Sequence, residues 1–330
     1  MRRSLPLSRH HVAAHVGVLL VLALGVQPVD ARPQDPVPAS AVVQNEIDVD
    51  QFVTRFLATA EEYEKTFRNL VAEETKVIEA YQGSGSVKKR RHIVSDLVVY
   101  RSSRDASDET VEYRDVRAVD GKAAERRGER ALKLLTKAAS ADSLKKELEA
   151  IERETRRHEF NFHLQGFTIG QGPLGLKEFR GLFRFQWVGR EQIAGHDVVV
   201  LDYEQTAPMP RLTARLPKEF GKASALGRGR IWLDAETGQL WRDVWEVTVR
   251  HPATPDPLVM IHRESTYRPS DLGVLVPERI VFDYLSHFSH PKKGRPSFAL
   301  TERTTFTYGS FKRFEVTTSE ALKRPEAHDR

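Results

Sequence analysis

The sequence predicts a mainly antiparallel β protein with helices: a large curved sheet or half-barrel covered by an N-terminal helix and an inserted helical pair. From Leu70 to Tyr308, most segments alternate apolar and polar residues, which is the period of a strand buried on one face. Short turns join these segments, and strands joined in this way pair antiparallel because parallel strands need long crossovers. With 40% hydrophobic residues, the chain can bury a substantial core.

Residues 1–31 have the order of a secretory signal peptide: a basic start, an apolar run over Val12–Val26 and the small-x-small triplet Val29–Ala31. A second such triplet ends at Ala41. The apolar run is too short to serve as a permanent membrane span. We therefore expect an exported protein, periplasmic or extracellular, which is cleaved near Ala31 or Ala41 and has no permanent membrane anchor.

The amino-acid composition excludes several kinds of site and partner. The chain has no cysteine, which excludes disulfides, thiolate metal sites and a cysteine nucleophile. Its net charge of +5 is modest and fits a solubilising surface, and an exported protein is not expected to bind nucleic acid. The one compact basic run, Lys88–Arg91, is interpreted as a hairpin tip that holds charge in water. Residues 32–47 predict a flexible leader, 48–320 a single domain and 321–330 a disordered tail.

The first predicted element of the domain is an amphipathic helix. Asp48 is a good N-cap, and Gln51 follows it three residues later. Apolar and aromatic residues then recur at helical spacing, and such a stripe packs on a core far more often than on a ligand. The stripe consists of Phe52, Phe56, Ala60, Tyr63 and Phe67.

Three strands are predicted next, followed by the helical insertion. The period changes to two from Leu70, and two further strands are predicted over His92–Arg101 and Thr110–Val119. Asp120 and Gly121 form a turn signal at the end of the third strand. Helical patterns over Ala123–Ala139 and Ser143–Arg157 then predict an inserted pair near 123–157.

The remaining sequence predicts strands almost without interruption. Each strand has one polar and one apolar face, which fits a single large sheet partly covered by helices. The predicted segments are Phe183–Trp187, His196–Glu204, a hairpin across Arg228–Arg250, Leu258–Arg268, Val274–Ser286 and Phe298–Tyr308.

The hairpin across Arg228–Arg250 predicts its own register. Ala235–Gly238 offers a four-residue loop in which Gly238 is free to adopt a positive φ. Closing this loop places an aromatic pair and an opposite-charge pair across the strands, and it puts Trp245 on the face of Trp241. The predicted pairs are Asp234 with Gln239, Leu233 with Leu240, Trp232 with Trp241 and Arg230 with Asp243.

Two motifs resemble ligand sites without meeting their requirements. Gly170–Gly175 matches the dinucleotide pattern G-x-G-x-x-G, but Pro173 interrupts it and a strand follows where the motif needs a helix, so we interpret it as a loop. His158 and His163 are five residues apart, a spacing that separates their side chains in a helix and in a strand. The sequence predicts no metal, no cofactor and no catalytic residue.

Several stretches resemble a family of exported, uncharacterised bacterial proteins. They are YRDVRAVDGKAAERRGERALKLL (Tyr113–Leu135), GRIWLDAETGQLWR (Gly229–Arg242), LGVLVPERIVFDYL (Leu272–Leu285) and YGSFKRFEVTT (Tyr308–Thr318). The G-x-IWLD-x-x-TG-x-L-W-R hairpin is also similar to one in LolA-like half-barrel proteins, which carry lipoproteins or sense envelope stress. This resemblance implies an antiparallel sheet wrapped around helices, with an apolar concave face, and it supplies no ligand-contacting residue.

Surplus aromatic surface on the strands leads to the functional hypothesis. We expect an exported, non-enzymatic envelope protein that binds an apolar ligand, such as a lipid or a lipoprotein acyl chain. The alternatives are a structural or protein-interaction factor that uses a polar face or an edge strand, and a hydrolase with a dispersed site. The candidate ligand-binding residues are Phe183, Phe185, Trp187, Trp232, Trp241, Trp245, Phe282 and Tyr284.

Overall fold

A computed structural model shows one antiparallel sheet of eleven strands with an N-terminal helix packed on it, so the mainly antiparallel β class is confirmed. Every strand pairing in this sheet is antiparallel. The structure describes residues 48–67, 70–101, 110–124, 153, 157–160, 169–171, 177–208, 225–250, 254, 256–289 and 296–313.

Helix α1 spans Val49–Thr66 and begins as predicted. The carboxylate of Asp48 accepts a hydrogen bond from the amide of Gln51 at 3.1 Å, which satisfies one of the free amides of the first turn. Most of the predicted stripe is buried, with Phe52 only partly so. The buried members are Phe56, Ala60, Tyr63 and Phe67.

The strands follow one another along the chain as hairpins. Their order across the sheet is β4-β3-β2-β1-β11-β10-β9-β8-β7-β6-β5, so among the strands in the described ranges the only neighbours that are not consecutive in sequence are β1 and β11. The strands are β1 (Leu70–Tyr81), β2 (Val87–Arg101), β3 (Thr110–Val119), β4 (Lys122–Ala123), β5 (Phe183–Ile193), β6 (His196–Gln205), β7 (Ala225–Asp234), β8 (Leu240–Val249), β9 (Leu258–Arg268), β10 (Val276–Ser289) and β11 (Pro296–Arg313).

The sheet is open, because its edge strands β4 and β5 lie at opposite ends of the strand order. An open antiparallel sheet with a helix on one side is consistent with a half-barrel. A 3-10 helix over Lys177–Leu182 leads directly into β5. No helix in the described ranges is long and apolar enough to cross a membrane.

Helix α1 lies on one face of the sheet, which we call the helix face. The ring of Tyr63 contacts that of Tyr267 on β9 with a centroid distance of 6.4 Å, and Phe67 contacts Phe311 on β11 at 5.3 Å. At the β7–β8 turn, Arg55 Nη1 donates to the carbonyl oxygens of Ala235 and Glu236, both at 2.9 Å. The helix is therefore fixed to β9, to β11 and to a hairpin turn.

The other side of the sheet, the opposite face, carries cross-strand ion pairs. Each pair is partly exposed, so it adds little to stability but keeps this face compatible with water. The pairs are Arg90 with Glu79, Arg184 with Glu204, Arg230 with Asp202, Arg242 with Glu264 and Arg303 with Asp283.

Several predicted boundaries change. Strand β2 begins at Val87 rather than His92, because the run Lys88–Arg91 is itself extended and paired with β1. Ala123 belongs to strand β4 instead of a helix, since it pairs with Ala118. The inserted helical pair is not supported, and nearly all of 124–157 lies outside the described residues. The same is true of the signal peptide, the leader, the tail, Gly172–Gly175 and His163.

Candidate functional site

An open groove lies between the start of α1 and the start of β5. Its volume is about 670 Å³, within the range of small-molecule sites. The 3-10 helix before β5 brings the side chain of Arg180 to the groove. The lining residues are Asp48, Val49, Asp50, Arg180, Phe183, Arg184 and Phe185.

The floor of this groove is aromatic. Phe183 is buried and Phe185 half-buried, and both point to the helix face because they pair with Gln205 and Tyr203 on β6. The Tyr203 ring lies 6.0 Å from Phe183 and 6.1 Å from Phe185, centroid to centroid. Such tilted and edge-to-face contacts fix the rings in place, so the floor is preformed.

The rim of the groove is charged. Arg180 Nη2 lies 2.7 Å from Asp50 Oδ1, and its guanidinium carbon lies 5.0 Å from the Phe185 ring centroid. Arg184 pairs with Glu204 at 3.1 Å, and both side chains are 62% exposed. The carboxylates at the groove have structural partners, since Asp48 caps α1 and Asp50 binds Arg180. The groove thus combines an apolar floor with exposed guanidinium groups.

Trp187 continues the aromatic row of β5 beyond the groove. It pairs with Leu201 on β6, so it shares the helix face with Phe185, and it is 36% exposed. The next residue, Val188, is 42% exposed and occupies a β-bulge of this edge strand. The free edge of the sheet therefore shows two large apolar side chains to solvent.

Three other candidate residues lie on the helix face but in its interior. Phe282 and Tyr284 are each 5% exposed and stack with their ring centroids 6.2 Å apart. The guanidinium carbon of Arg263 lies 5.6 Å from the Phe282 ring. Trp245 is half-buried and pairs with Gly229 on β7. The structure brings Phe183, Phe185 and Trp187 together on β5, and places these three residues elsewhere.

The register predicted for the β7–β8 hairpin is correct at its turn and wrong beyond it. The amide of Asp234 donates to the carbonyl of Gln239 at 2.8 Å, as the predicted loop requires. A β-bulge at Trp241 then adds one residue to β8, so pairing Trp232 with Trp241 was wrong. The observed pairs are Leu233 with Leu240, Trp232 with Arg242, Ile231 with Asp243 and Arg230 with Val244.

The bulge also separates the tryptophans. Trp232 lies on the opposite face, where its Nε1 donates to Glu191 at 3.0 Å. The Nε1 of Trp241 donates to Asp234, which shares that face, at 3.3 Å. Trp245 lies on the helix face, so its predicted position beside Trp241 is wrong. Trp232 and Trp241 are 6% and 3% exposed, and we expect their removal to affect folding more than ligand binding.

The sequence reasoning missed a buried ionic network on the helix face. The guanidinium of Arg114 on β3 binds Glu74 of β1 through two hydrogen bonds, at 2.7 and 2.9 Å. Its Nη2 also donates to Glu112 at 3.1 Å. Lys76 pairs with Glu159, and the centroid of the Phe306 ring lies 5.0 Å from Lys76 Nζ and 5.6 Å from the guanidinium carbon of Arg114. One signal was available: Glu74 and Lys76 alternate in phase with apolar Leu70, Ala72 and Ile78.

A backbone segment is held over this interior by three side chains from separate elements. Tyr63 of α1 donates to the Ile169 carbonyl at 2.7 Å, and Glu112 of β3 accepts from the Ile169 amide at 3.1 Å. Arg263 of β9 donates to the Gly170 carbonyl at 2.9 Å. These bonds satisfy buried polar groups and close the centre of the helix face. The accessible aromatic surface is therefore at β5.

Asp243 is a second buried charged group. Its carboxylate lies 3.5 Å from Arg263 and accepts a hydrogen bond from Tyr203 at 3.3 Å. Burial raises the pKa of Asp243 from 3.8 to about 6, against the lowering effects of Arg263 and Tyr203. The folded protein therefore favours the protonated carboxyl, and the stability that this gives is lost as the pH rises through about 6.

We expect Asp243→Asn to remove this pH dependence, because asparagine is neutral throughout. The rise in pKa from 3.8 to about 6 corresponds to about 3 kcal/mol. In urea unfolding, the free energy of unfolding of wild type should fall by about this amount relative to that of the variant as the pH rises from about 4 to about 7.

Asp234→Asn is the matched control for this experiment. Burial alone would raise the Asp234 pKa, but hydrogen bonds from Thr237 and Trp241 lower it overall. Its contribution should therefore be lost as the pH falls, which is the opposite sign. A wild-type stability that runs parallel to that of Asp243→Asn at every pH would contradict the assignment.

In the described ranges, no group of three or more His, Asp or Glu side chains could hold a metal ion. The buried carboxylates Glu74, Glu112 and Asp243 are bound to arginines, and these arrangements neutralise charge inside the sheet. What the described groove can do chemically is hold an apolar chain and pair with an anion.

Comparisons with known proteins give structural similarity only. No family model and no curated protein matches the chain. A domain from Vibrio parahaemolyticus described as an outer membrane lipoprotein-sorting protein is 11% identical, with 79% of this chain and 92% of that chain covered and a TM-score of 0.35. A DUF1329 family protein from Desulfovibrio piger is 11% identical, with 80% and 93% covered and a TM-score of 0.30.

The structure of MucB in complex with MucA(peri) is also similar, at 11% identity, with 82% of this chain and all of that chain covered and a TM-score of 0.19. The chain thus has structural similarity to a lipoprotein-sorting domain and to a DUF1329 family protein, and no family model matches it. Because the TM-scores lie below 0.5, nothing about ligand or activity is carried over from these structures.

Proposed function

We propose that this is an exported, non-enzymatic envelope protein that binds an apolar ligand, such as a lipid or a lipoprotein acyl chain, in the groove between α1 and β5. The observation that carries the proposal is the open groove of about 670 Å³ with an aromatic floor. Phe183, Phe185 and Trp187 are the proposed ligand contacts. The other five candidates are assigned to the core.

The apolar part of the ligand packs on the β5 row. An acyl chain that enters over Phe183 and Phe185 continues along the strand toward Trp187, which is exposed on the same face. Burial of apolar surface gives about 0.8 kcal/mol for each methylene group, so the affinity should rise with the length of the acyl chain.

The charged rim selects the head group. Arg180 stands beside the aromatic floor, and Arg184 borders the groove from the opposite face of β5. A guanidinium binds carboxylate or phosphate oxygens through paired hydrogen bonds. Both arginines are now bound to exposed carboxylates, and such surface pairs are weak enough to exchange for a ligand. We therefore propose an anionic amphiphile in place of a neutral oil.

Phe185→Ala tests this site. The variant should bind a dansyl-labelled fatty acid about tenfold more weakly than wild type, because part of the apolar contact is lost. Fluorescence titration measures the affinity, and thermal unfolding shows that the fold is kept. Arg184→Gln should weaken the fatty acid but not a neutral alcohol of equal length.

Val188→Ser is the matched control, since Val188 is exposed on the same strand but does not line the groove. It should bind the probe as wild type does. Equal binding by Phe185→Ala and wild type, or absence of probe binding by wild type, would refute the proposed site.

We also propose the domain layout and location that the sequence predicts. The signal peptide of residues 1–31 is removed near Ala31 or Ala41, and residues 32–47 link it to one domain of 48–320. The helical insertion near 123–157, which must begin after the β4 residue Ala123, and the tail 321–330 complete this layout. The mature protein then works in the periplasm or outside the cell, without a permanent membrane anchor.

One observation favours a second candidate function, that of a protein-interaction factor. Strand β5 is an edge of the sheet and exposes Trp187 and Val188 side by side. An extended segment of a partner protein could add to this edge as a further strand. Val188→Ser separates the two candidates, because it should impair such a partner while leaving fatty-acid binding intact.

A further inference from the structure

The β1–β2 hairpin ends in an exposed basic tip. The turn between the strands is closed by two hydrogen bonds, from the amide of Gln82 to the Ser86 carbonyl and from the amide of Gly85 to the Gln82 carbonyl, both 2.9 Å. Gly85 has a φ of +82°, which other residues rarely adopt. Every residue over 82–90 is exposed, so we call Val87–Arg91 together with this turn the basic tip.

This basic tip projects beyond the neighbouring strand. The last residue of β3, Val119, pairs with Ile93 of β2, so Val87–Arg91 extends past it. Five extended residues span about 15 Å at the usual rise of a strand. On this side of the sheet the segment therefore extends beyond β3, whereas on the other side β11 continues past the partner of Ala80, Glu302, to Pro296.

The positive charge of the tip is only partly compensated within the protein. Arg90 pairs with Glu79 at 2.6 Å and Arg91 with Asp120 at 3.5 Å. Lys88 and Lys89 are exposed, and the described part of the chain gives neither an ion-pair partner. On the opposite face, by contrast, arginines are matched by carboxylates. The two lysines form a local excess of positive charge.

An apolar side chain stands next to these lysines. Val87 is 41% exposed, one of three large hydrophobic residues exposed in the described ranges. Beside it, Lys89 Nζ lies 4.1 Å from the ring centroid of Phe160. A bilayer surface offers phosphate groups for the lysines and hydrocarbon for the valine. The two lie close together, because the anionic phosphates are just above the start of the hydrocarbon layer.

We propose that the basic tip docks the protein on a bilayer that contains anionic phospholipid. Lys88 and Lys89 contact the phosphates, and Val87 enters the boundary between head groups and acyl chains. A soluble polyanion would use the lysines but has no apolar layer for Val87, so the exposed valine favours the membrane. This surface is distinct from the groove at β5, and its docking does not require that the groove binds a ligand.

Vesicle co-sedimentation of the secreted full chain tests the proposal. Vesicles of phosphatidylcholine with phosphatidylglycerol should bind wild type, and vesicles of phosphatidylcholine alone should not. Lys88→Gln with Lys89→Gln should weaken binding about thirtyfold, the factor expected from about 1 kcal/mol for each lysine at an anionic surface. Binding should also fall with added salt. Any contribution of the N-terminal residues is common to wild type and variants.

The matched control is Lys312→Gln with Arg313→Gln. These residues are exposed at the far end of β11, and the change removes the same charge from the other end of the strands. The control should keep wild-type binding, and an equal loss would overturn the proposal by showing a response to net charge alone. Val87→Ser should weaken vesicle binding but not heparin binding. Vesicle binding unaffected by the lysine or valine changes would also overturn it.

Discussion

Arg114→Met is expected to lower the free energy of unfolding by about 3–5 kcal/mol, the usual cost of removing one partner from a buried ionic cluster. Glu74 is fully buried and Glu112 is 9% exposed. Without the guanidinium, both carboxylates would remain in the sheet interior without the charge that stabilises them. Methionine keeps the length of the side chain, so lost packing contributes little.

Urea unfolding of Arg114→Met measures this cost, and Arg230→Met is its matched control. Arg230 makes the same two-bond contact with Asp202, at 2.6 and 3.0 Å, but both side chains are about two-fifths exposed. The control should lose less than about 1 kcal/mol. Adding Glu74→Gln to Arg114→Met should restore part of the loss. Equal losses in the two single variants would show that burial is not the deciding factor.

Gly229→Ala is expected to destabilise the protein by more than about 3 kcal/mol, or to prevent folding, since overpacking a tight site forces the backbone to move. The Tyr203 side chain lies directly over Gly229, and a Cβ added at Gly229 would lie 2.7 Å from Tyr203 Oη. The same Cβ would also collide with the carbonyl oxygen of Val244. A backbone oxygen cannot turn away as a side chain can.

Gly189→Ala provides the comparison for Gly229→Ala. Gly189 also lies in a strand, but nothing lies within 4 Å of a Cβ added there. Because alanine suits a strand interior better than glycine, this variant should be as stable as wild type or more so by up to about 1 kcal/mol. Thermal unfolding measures the stability of both variants relative to wild type. A Gly229→Ala protein that melts with wild type would contradict the close packing described for Tyr203.

Local patterns in the sequence predict much of the fold. Strands Thr110–Val119 and Leu258–Arg268 have the predicted limits, because turn-forming residues in the sequence mark where they end. The helix start at Asp48 follows from cap chemistry within four residues. The register beyond Leu240 could not be predicted, because a bulge at Trp241 leaves the sequence pattern of β8 unchanged.

The buried charges were missed for a different reason. Arg114 and Glu74 are forty residues apart, so no local pattern reveals that each will find its partner. The rule that charged residues face water assigns them to the surface. The one contrary indication is that Glu74 lies an even number of residues from Leu70 and Ala72, so its side chain is on the buried face of the strand. Of the eight candidate aromatics, sequence alternation correctly groups Phe183, Phe185 and Trp187 on one face. Sequence alternation does not reveal which aromatic rings are covered by helix α1 and by the backbone segment at Ile169.

The junction between β1 and β11 constrains the order in which the protein can fold. On either side of it, the strands form meanders that can assemble hairpin by hairpin from contacts that are local in sequence. Joining the meanders requires a pairing such as Val77 with Thr305, and closing so long a loop is slow. Since β11 follows the other described strands in the sequence, the long edge of β1 stays unpaired until β11 has been synthesised. We infer that this nascent edge is one opportunity for misassembly, in addition to the exposed edge of β5 in the finished protein.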